Sequence, residues 1–258
     1  MTFKTKNIFN NRKTKFSVDF GICDFMNKDP NTGNYSSKTC PGCYSATLIN
    51  IYPGVKAKLE KITGTYPDID DFKSDIAKIK KTGHRFIRFY SLGDYREPTD
   101  ELYIKAAADI MPVEIFSKTL MQFWRHRIPG IAAHPDVNIS LSTNSSWDDK
   151  YRADLYDFLL KNKLLRNVQI NYTFIGDEPM RHVPHVSVYH TTKKNKLELF
   201  KFFGYNRVCC ARAEDGTKIV AKNTGNYKGS CAKCPLCQLP AADVNGQIMT
   251  PGRIKCIV

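Results

Sequence analysis

Between residues 85 and 191, short apolar runs of strand length alternate with segments of helical periodicity, and that alternation limits the fold more than any other feature. The runs are RFIRFYS (85–91), PVEIFS (112–117), DVNISLS (136–142), NVQINYTFI (167–175) and HVSVYHT (185–191). Helical spacing fills 99–110, 119–127 and 150–163 between them. Such spacing calls for βαβ units and a mostly parallel sheet. An earlier strand fits 16–22, with Phe16, Val18 and Phe20 on one face, and a polar stretch then runs to about residue 39. Leu48, Ile51, Tyr52, Val55 and Leu59 recur at helical spacing across 44–62, and Ile69, Phe72, Ile76 and Ile79 do so across 69–82.

Six strands make an incomplete (β/α)6-type barrel the economical α/β architecture for residues 1–205, with an open doubly wound sheet as the alternative. Right-handed crossovers place every strand C-terminus on one rim. The turns carrying Cys23, Gly93-Asp94, Lys118, Asn144 and Asp177 would share that rim. After about residue 205 the pattern stops. Residues 206–258 are rich in Gly and Cys and read as a metal-stabilised extension.

Cysteine placement sharpens this reading. Nine are present, and none falls between residues 44 and 208. Clusters at both ends of a cysteine-free body point to metal ligation rather than disulfides in a reducing cytoplasm. Cys231-Ala-Lys-Cys234-Pro-Leu-Cys237 sets three thiolates around one centre, the spacing of ferredoxin-type loops. Cys209 or Cys210 is the nearest source of a fourth ligand, with Cys256 as the other candidate. Cys40-Pro-Gly-Cys43 is a CxxC at the start of a helix, and Cys23 closes the first strand. Three thiolates there could hold a [4Fe–4S] cluster with one iron open to a substrate or cofactor. A zinc ribbon built from Cys40, Cys43, Cys231 and Cys234 is the competing arrangement.

The segment FIRFYSLGDYREPTDELYIKA (86–106) follows CPGCY (40–44) and precedes VEIFSKTLMQF (113–123) and VNISLSTNSSWDD (137–149). Together with SCAKCPLC (230–237), these blocks resemble the phage "gene product 88" family. The resemblance implies a phage-encoded, cytoplasmic, cluster-binding protein and specifies no reaction. A more distant architectural likeness is to radical S-adenosylmethionine enzymes, whose partial barrel holds a three-cysteine loop after its first strand. By that likeness Gly93 and Asp94 stand where those enzymes receive the amino group of S-adenosylmethionine. The chain differs in showing CxxC plus a remote Cys23 in place of CxxxCxxC.

Asp94, Lys118 and Asn144 are the candidate catalytic residues, lining a rim pocket for a small molecule; equally, Asp94 caps a turn and Lys118 is a solvated loop residue. His182, His185 and His190 flank the last strand as candidate ligands. With 39 Lys and Arg against 25 acids the chain carries +14, which favours polyanions, and Trp124-Arg125-His126-Arg127 pairs an aromatic with guanidinium groups as nucleic-acid binders do. A zinc-stabilised nucleic-acid-binding protein without catalysis is therefore the second functional reading. No apolar run reaches the ~18–20 residues of a membrane span, and the start of the chain has no secretory pattern. No Walker loop, GxGxxG, HExxH or GxSxG is present.

Overall fold

The computed structural model describes residues 2–5, 8–10, 16–38, 40, 43–192 and 196–203. Two compact units divide the chain at Asn138–Ile139.

The first unit holds the strands β1 (Phe9–Asn10), β2 (Ser17–Val18), β3 (Asn27–Lys28), β4 (Tyr35–Ser36), β5 (Ile87–Phe89) and β6 (Val113–Ser117). Its helices are α1 (Tyr44–Ile51), α2 (Pro53–Ile62), α3 (Ile69–Lys81), α4 (Thr99–Ala108) and α5 (Ile128–Ala132). β2, β5 and β6 are parallel neighbours, with Val18 opposite Phe89 and Phe89 opposite Ile115. β1 adds to β2 as an antiparallel edge, and β3 and β4 form a separate hairpin. The second unit carries β7 (Val137–Thr143), α6 (Asp149–Lys161), β8 (Val168–Ile175), β9 (Val188–Thr192) and α7 (Lys196–Phe203), with β7, β8 and β9 parallel in that order.

The fold is thus α/β, with six strands parallel to their neighbours, and the strands of neither unit close into a barrel. Among the described residues, no helix is long and apolar enough to cross a membrane. The expected cysteine-rich extension, with Cys209, Cys210, Cys231, Cys234 and Cys237, lies outside the described residues.

Local chemistry explains where the elements begin and end. α3 starts at Asp68, whose carboxylate accepts the N–H groups of Asp70 and Asp71 at 3.0 and 2.9 Å, satisfying two donors that a helix start leaves open. Its buried face is Phe72, Ile76 and Ile79, each contributing about 1.5–3 kcal/mol on burial. The helix expected over 44–62 is two helices. Pro53 opens α2, and the residue before a proline is pushed out of the α region; Tyr52 accordingly sits at φ −114°, ψ 94°. The helix expected over 119–127 is instead a 3-10 turn at Thr119–Met121 followed by further turns, and helix resumes as α5 with Pro129 in its first turn. Proline suits that position because its missing N–H would have had no helical partner.

Candidate functional site

Every residue of the site belongs to the first unit, most of them beyond the C-terminal ends of β2, β5 and β6, with Cys40 and Cys43 between β4 and α1. Parallel pairing brings the three ends to one edge, so the chain beyond Val18, Phe89 and Ser117 converges there.

Beyond β2, Asp19 is fully buried. Its Oδ1 accepts the backbone N–H groups of Ser91, Leu92 and Gly93 at 2.8, 2.9 and 2.8 Å, and its Oδ2 accepts the Ser91 hydroxyl at 2.8 Å. Three successive amides closing on one oxygen form an anion-binding nest, here filled by the chain's own carboxylate. Phe20 packs among Tyr66, Tyr103 and Phe89, with centroids 5.0, 5.2 and 6.1 Å away. Gly21 follows at φ +135°, a region open to glycine alone at no steric cost. Thr63, at the end of α2, ties this segment down: its hydroxyl donates to Leu59 O at 2.7 Å and accepts the Ile22 N–H at 3.0 Å.

Cys23 comes next, buried, its sulfur accepting the Phe25 N–H at 3.4 Å. Burial pushes its thiol well up, and the charges of Asp94, Cys40 and Cys43 add to the rise. Cys40 is buried as well, and its N–H donates to the Ser37 hydroxyl at 3.1 Å. Burial raises its thiol too, while the positive charge of Lys118 opposes that rise. Cys43 stands at the N-cap of α1 and is partly exposed. All three carry free thiols. A cavity of about 490 Å³ opens beside Cys23, lined by Asp24, Met26, Lys28, Tyr35 and Glu60 among others. Its wall is fixed by Glu60, which accepts from Lys28 Nζ at 2.7 Å and from the Tyr35 hydroxyl at 2.9 Å.

Asp94 is buried beyond β5, and both of its oxygens are engaged. The Ser117 hydroxyl and the Lys118 N–H donate to it, the latter at 2.8 Å, with the Thr119 N–H at 3.3 Å and its neighbour Tyr95 at 2.7 Å. Burial raises its carboxyl to about 6 against the pull of these donors. Asp94 therefore acts as the clamp that shapes the turn after β6. Gly93 is packed so closely that a Cβ there would lie 2.5 Å from the Gly21 carbonyl oxygen. Lys118 is the sequence-predicted rim residue whose charge is felt by the Cys40 thiol.

The other sequence-predicted residues belong to the second unit, to other segments of the first, or fall outside the described residues. Asn144 is in the second unit, where its side-chain oxygen accepts the Ser146 N–H at 2.9 Å and its carbonyl accepts Arg152 Nη1 at 3.2 Å, a turn-capping arrangement. His185 packs on Tyr156 at 4.8 Å and His182 on Phe202 at 5.3 Å. Trp124, in the first unit, is buried, with the Arg125 guanidinium 4.4 Å over its ring. Asp19 was not marked by sequence reasoning; its signal is a carboxylate on the polar face of a strand whose alternate residues, Phe16, Val18 and Phe20, are apolar.

As arranged here, no three His, Cys, Asp or Glu among the described residues form a ready metal-ligand group. The donor chemistry of Cys23, Cys40 and Cys43 nevertheless fits a soft metal or an iron–sulfur centre. The Cys23 sulfur already receives a hydrogen bond, and its thiol senses the charge of the other two cysteines.

The fold and this site define an α/β protein with two buried aspartates and a buried cysteine beyond the ends of its parallel strands. No family model matches the chain, and no curated protein or solved structure matches it.

Proposed function

We propose that the chain is an iron–sulfur protein of the kind its gene product 88 resemblance implies, working in a reducing cytoplasm. In this reading Cys23, Cys40 and Cys43 hold a [4Fe–4S] centre at the rim of a radical-SAM-like partial barrel. Cys231, Cys234 and Cys237, with Cys209 or Cys210, hold a second. The carrying observation is that Cys23, buried beyond the end of β2 with its sulfur accepting a hydrogen bond, has the buried Cys40 and the N-capping Cys43 near enough to influence it electrostatically. Bound there, the centre supplies one-electron transfer.

The chain's own residues do the rest. Thr63 and the Asp19 nest fix the turn that presents Cys23, and Asp94 fixes the turn that presents Lys118. With the Asp94 carboxylate committed to the turn after β6, recognition of a small molecule falls to the cavity beside Cys23.

Anaerobic purification followed by iron, sulfide and zinc quantitation tests this reading. About four irons and four sulfides per chain correspond to one [4Fe–4S] centre, and about eight of each to two. With two centres, Cys23→Ser should remove about half of the iron. Zinc without sulfide would replace this reading with the zinc-stabilised nucleic-acid binder, whose affinity should then fall steeply with salt. Equilibrium dialysis with S-adenosylmethionine follows: retention extends the reading to radical chemistry, and no retention leaves a redox centre.

A further inference from the structure

The sheet of the second unit has two unlike faces. Side chains alternate along a strand and residues paired across parallel strands share a face, so Leu141, Ile170, Tyr172, Phe174 and Tyr189 stand on one side. That side carries α6 and α7, with the Arg152 guanidinium 5.0 Å over the Tyr172 ring and Phe203 stacked 3.8 Å from Tyr189. The other side is polar. Ser140 and Ser142 on β7 pair with Gln169 and Asn171 on β8, and Thr173 pairs with His190 on β9. Toward the start of the strands this face is closed, Gln169 Nε2 donating to Ser140 Oγ at 3.0 Å with both residues buried. Toward the C-terminal ends Ser142, Thr173 and His190 are half-buried. Asn171 stands at the boundary, 1% exposed, and neither its Oδ1 nor its Nδ2 has a hydrogen-bond partner among the described residues. A buried amide with donor and acceptor both unmet is costly, and such a group calls for an explanation.

We propose that Asn171 anchors a binding site for a small uncharged molecule that carries an amide edge, a donor and an acceptor side by side, as nucleobases and lactams do. A side-chain amide offers the same pair in reverse, so one such edge satisfies both of its atoms at once. No Asp, Glu, Lys or Arg stands at the paired positions of this face, which argues against a charged ligand. Ser142 and Val188 flank Asn171 on the neighbouring strands, a hydroxyl on one side and an apolar wall on the other. Parallel α/β sheets receive ligands at the C-terminal ends of their strands, and that is the half-buried end of this face. No cysteine takes part, so the site is independent of the iron–sulfur reading.

Uracil, adenine and the simple lactam pyrrolidinone, each titrated to millimolar concentration into the full chain carrying isotope-labelled asparagine, test this by NMR. The side-chain amide resonance of Asn171, assigned through its own backbone, should shift and saturate with at least one probe. A shift with uracil or adenine alone assigns the site to nucleobases, and a shift with pyrrolidinone as well assigns it to amides in general. No shift with any of the three, or shifts confined to other asparagines, overturns the proposal. Asn171→Leu keeps the bulk of the side chain and removes both polar atoms. It should weaken binding of the responding probe at least about tenfold in equilibrium dialysis, the scale of a lost bidentate pair; undiminished binding overturns the proposal. Its melting temperature, expected at or above that of the wild type because a buried amide without partners is gone, separates loss of the site from loss of the fold. The titration uses the wild-type chain, so it decides the matter even where the variant fails to fold.

Discussion

The Asp19 carboxylate accepts the backbone N–H of Gly93 at 2.8 Å, joining the end of β2 to the loop after β5. The Ser91 and Leu92 amides share the same oxygen, so one buried side chain satisfies three donors of a loop that has no ladder of its own. Asp19→Ala leaves those donors buried without an acceptor, at roughly 1–3 kcal/mol for each group that water cannot reach. The expected loss is about 3 kcal/mol in urea unfolding. Asp19→Asn keeps one acceptor oxygen and should lose less. Equal losses would mean that the nest is held by packing rather than by the carboxylate.

Gly93 and Gly21 are pressed together by the same contact. A Cβ on Gly93 meets the Gly21 carbonyl oxygen at 2.5 Å, and one on Gly21 meets the Thr63 backbone at 2.5 Å. Backbone atoms cannot rotate aside as a side chain can, so Gly93→Ala should cost at least about 2 kcal/mol, at the upper part of the overpacking range. Gly54 and Gly130 lie in helices, and a methyl added at either would meet nothing within 4 Å. Alanine there should be neutral or stabilise by about 0.5–1 kcal/mol. Thermal melts of the three alanine variants give the comparison, and a harmless Gly93→Ala would show that the two loops can part without cost.

Tyr90 follows β5 at φ 64°, a left-handed conformation that a bulky side chain adopts only under constraint. Its N–H donates to Val18 O at 2.9 Å and its hydroxyl donates to the buried Asp100. Burial raises the Asp100 carboxyl, and the Tyr66 and Tyr90 hydroxyls pull against that rise. Tyr90→Phe removes one of those donors while keeping the ring, and should cost about 1–3 kcal/mol. Chemical denaturation measures it; a loss below about 0.5 kcal/mol would show that Tyr66 and the Arg96 N–H suffice.

The alternation of strands and helices was legible because each run carries its own period: β8 lies within 167–175 and α6 within one residue of 150–163 at its start. Boundaries were less so. Periodicity passes straight through Pro53, whose effect on Tyr52 is steric and not a matter of hydrophobicity. The edge strand β1 and the hairpin β3–β4 escaped notice because two-residue pairings carry no period. At the site, Cys23, Asp94 and Lys118 could be named from their places after strands. What could not be read was which partner each would take. Asp94 turned inward to a later turn, and Asp19, on the polar side of its strand, was buried by contacts more than 70 residues away.

Asp94 gives a prediction with a definite sign. Its carboxyl is raised to about 6, chiefly by burial, whereas an unfolded aspartate titrates near ~3.9. The native state therefore holds this proton more tightly than the unfolded state does. The resulting stabilisation is complete below about pH 3.9 and is lost as pH rises through about 6, so between those limits stability attributable to Asp94 falls with rising pH. Subtracting the unfolding free energy of Asp94→Asn, which cannot titrate, from that of the wild type at each pH isolates the contribution from the other carboxylates. The difference should decline by roughly 2–3 kcal/mol across that window and then level off. A difference that rises with pH would mean that the Ser117, Lys118, Tyr95 and Thr119 donors outweigh burial, and that Asp94 is held charged from the acid side upward.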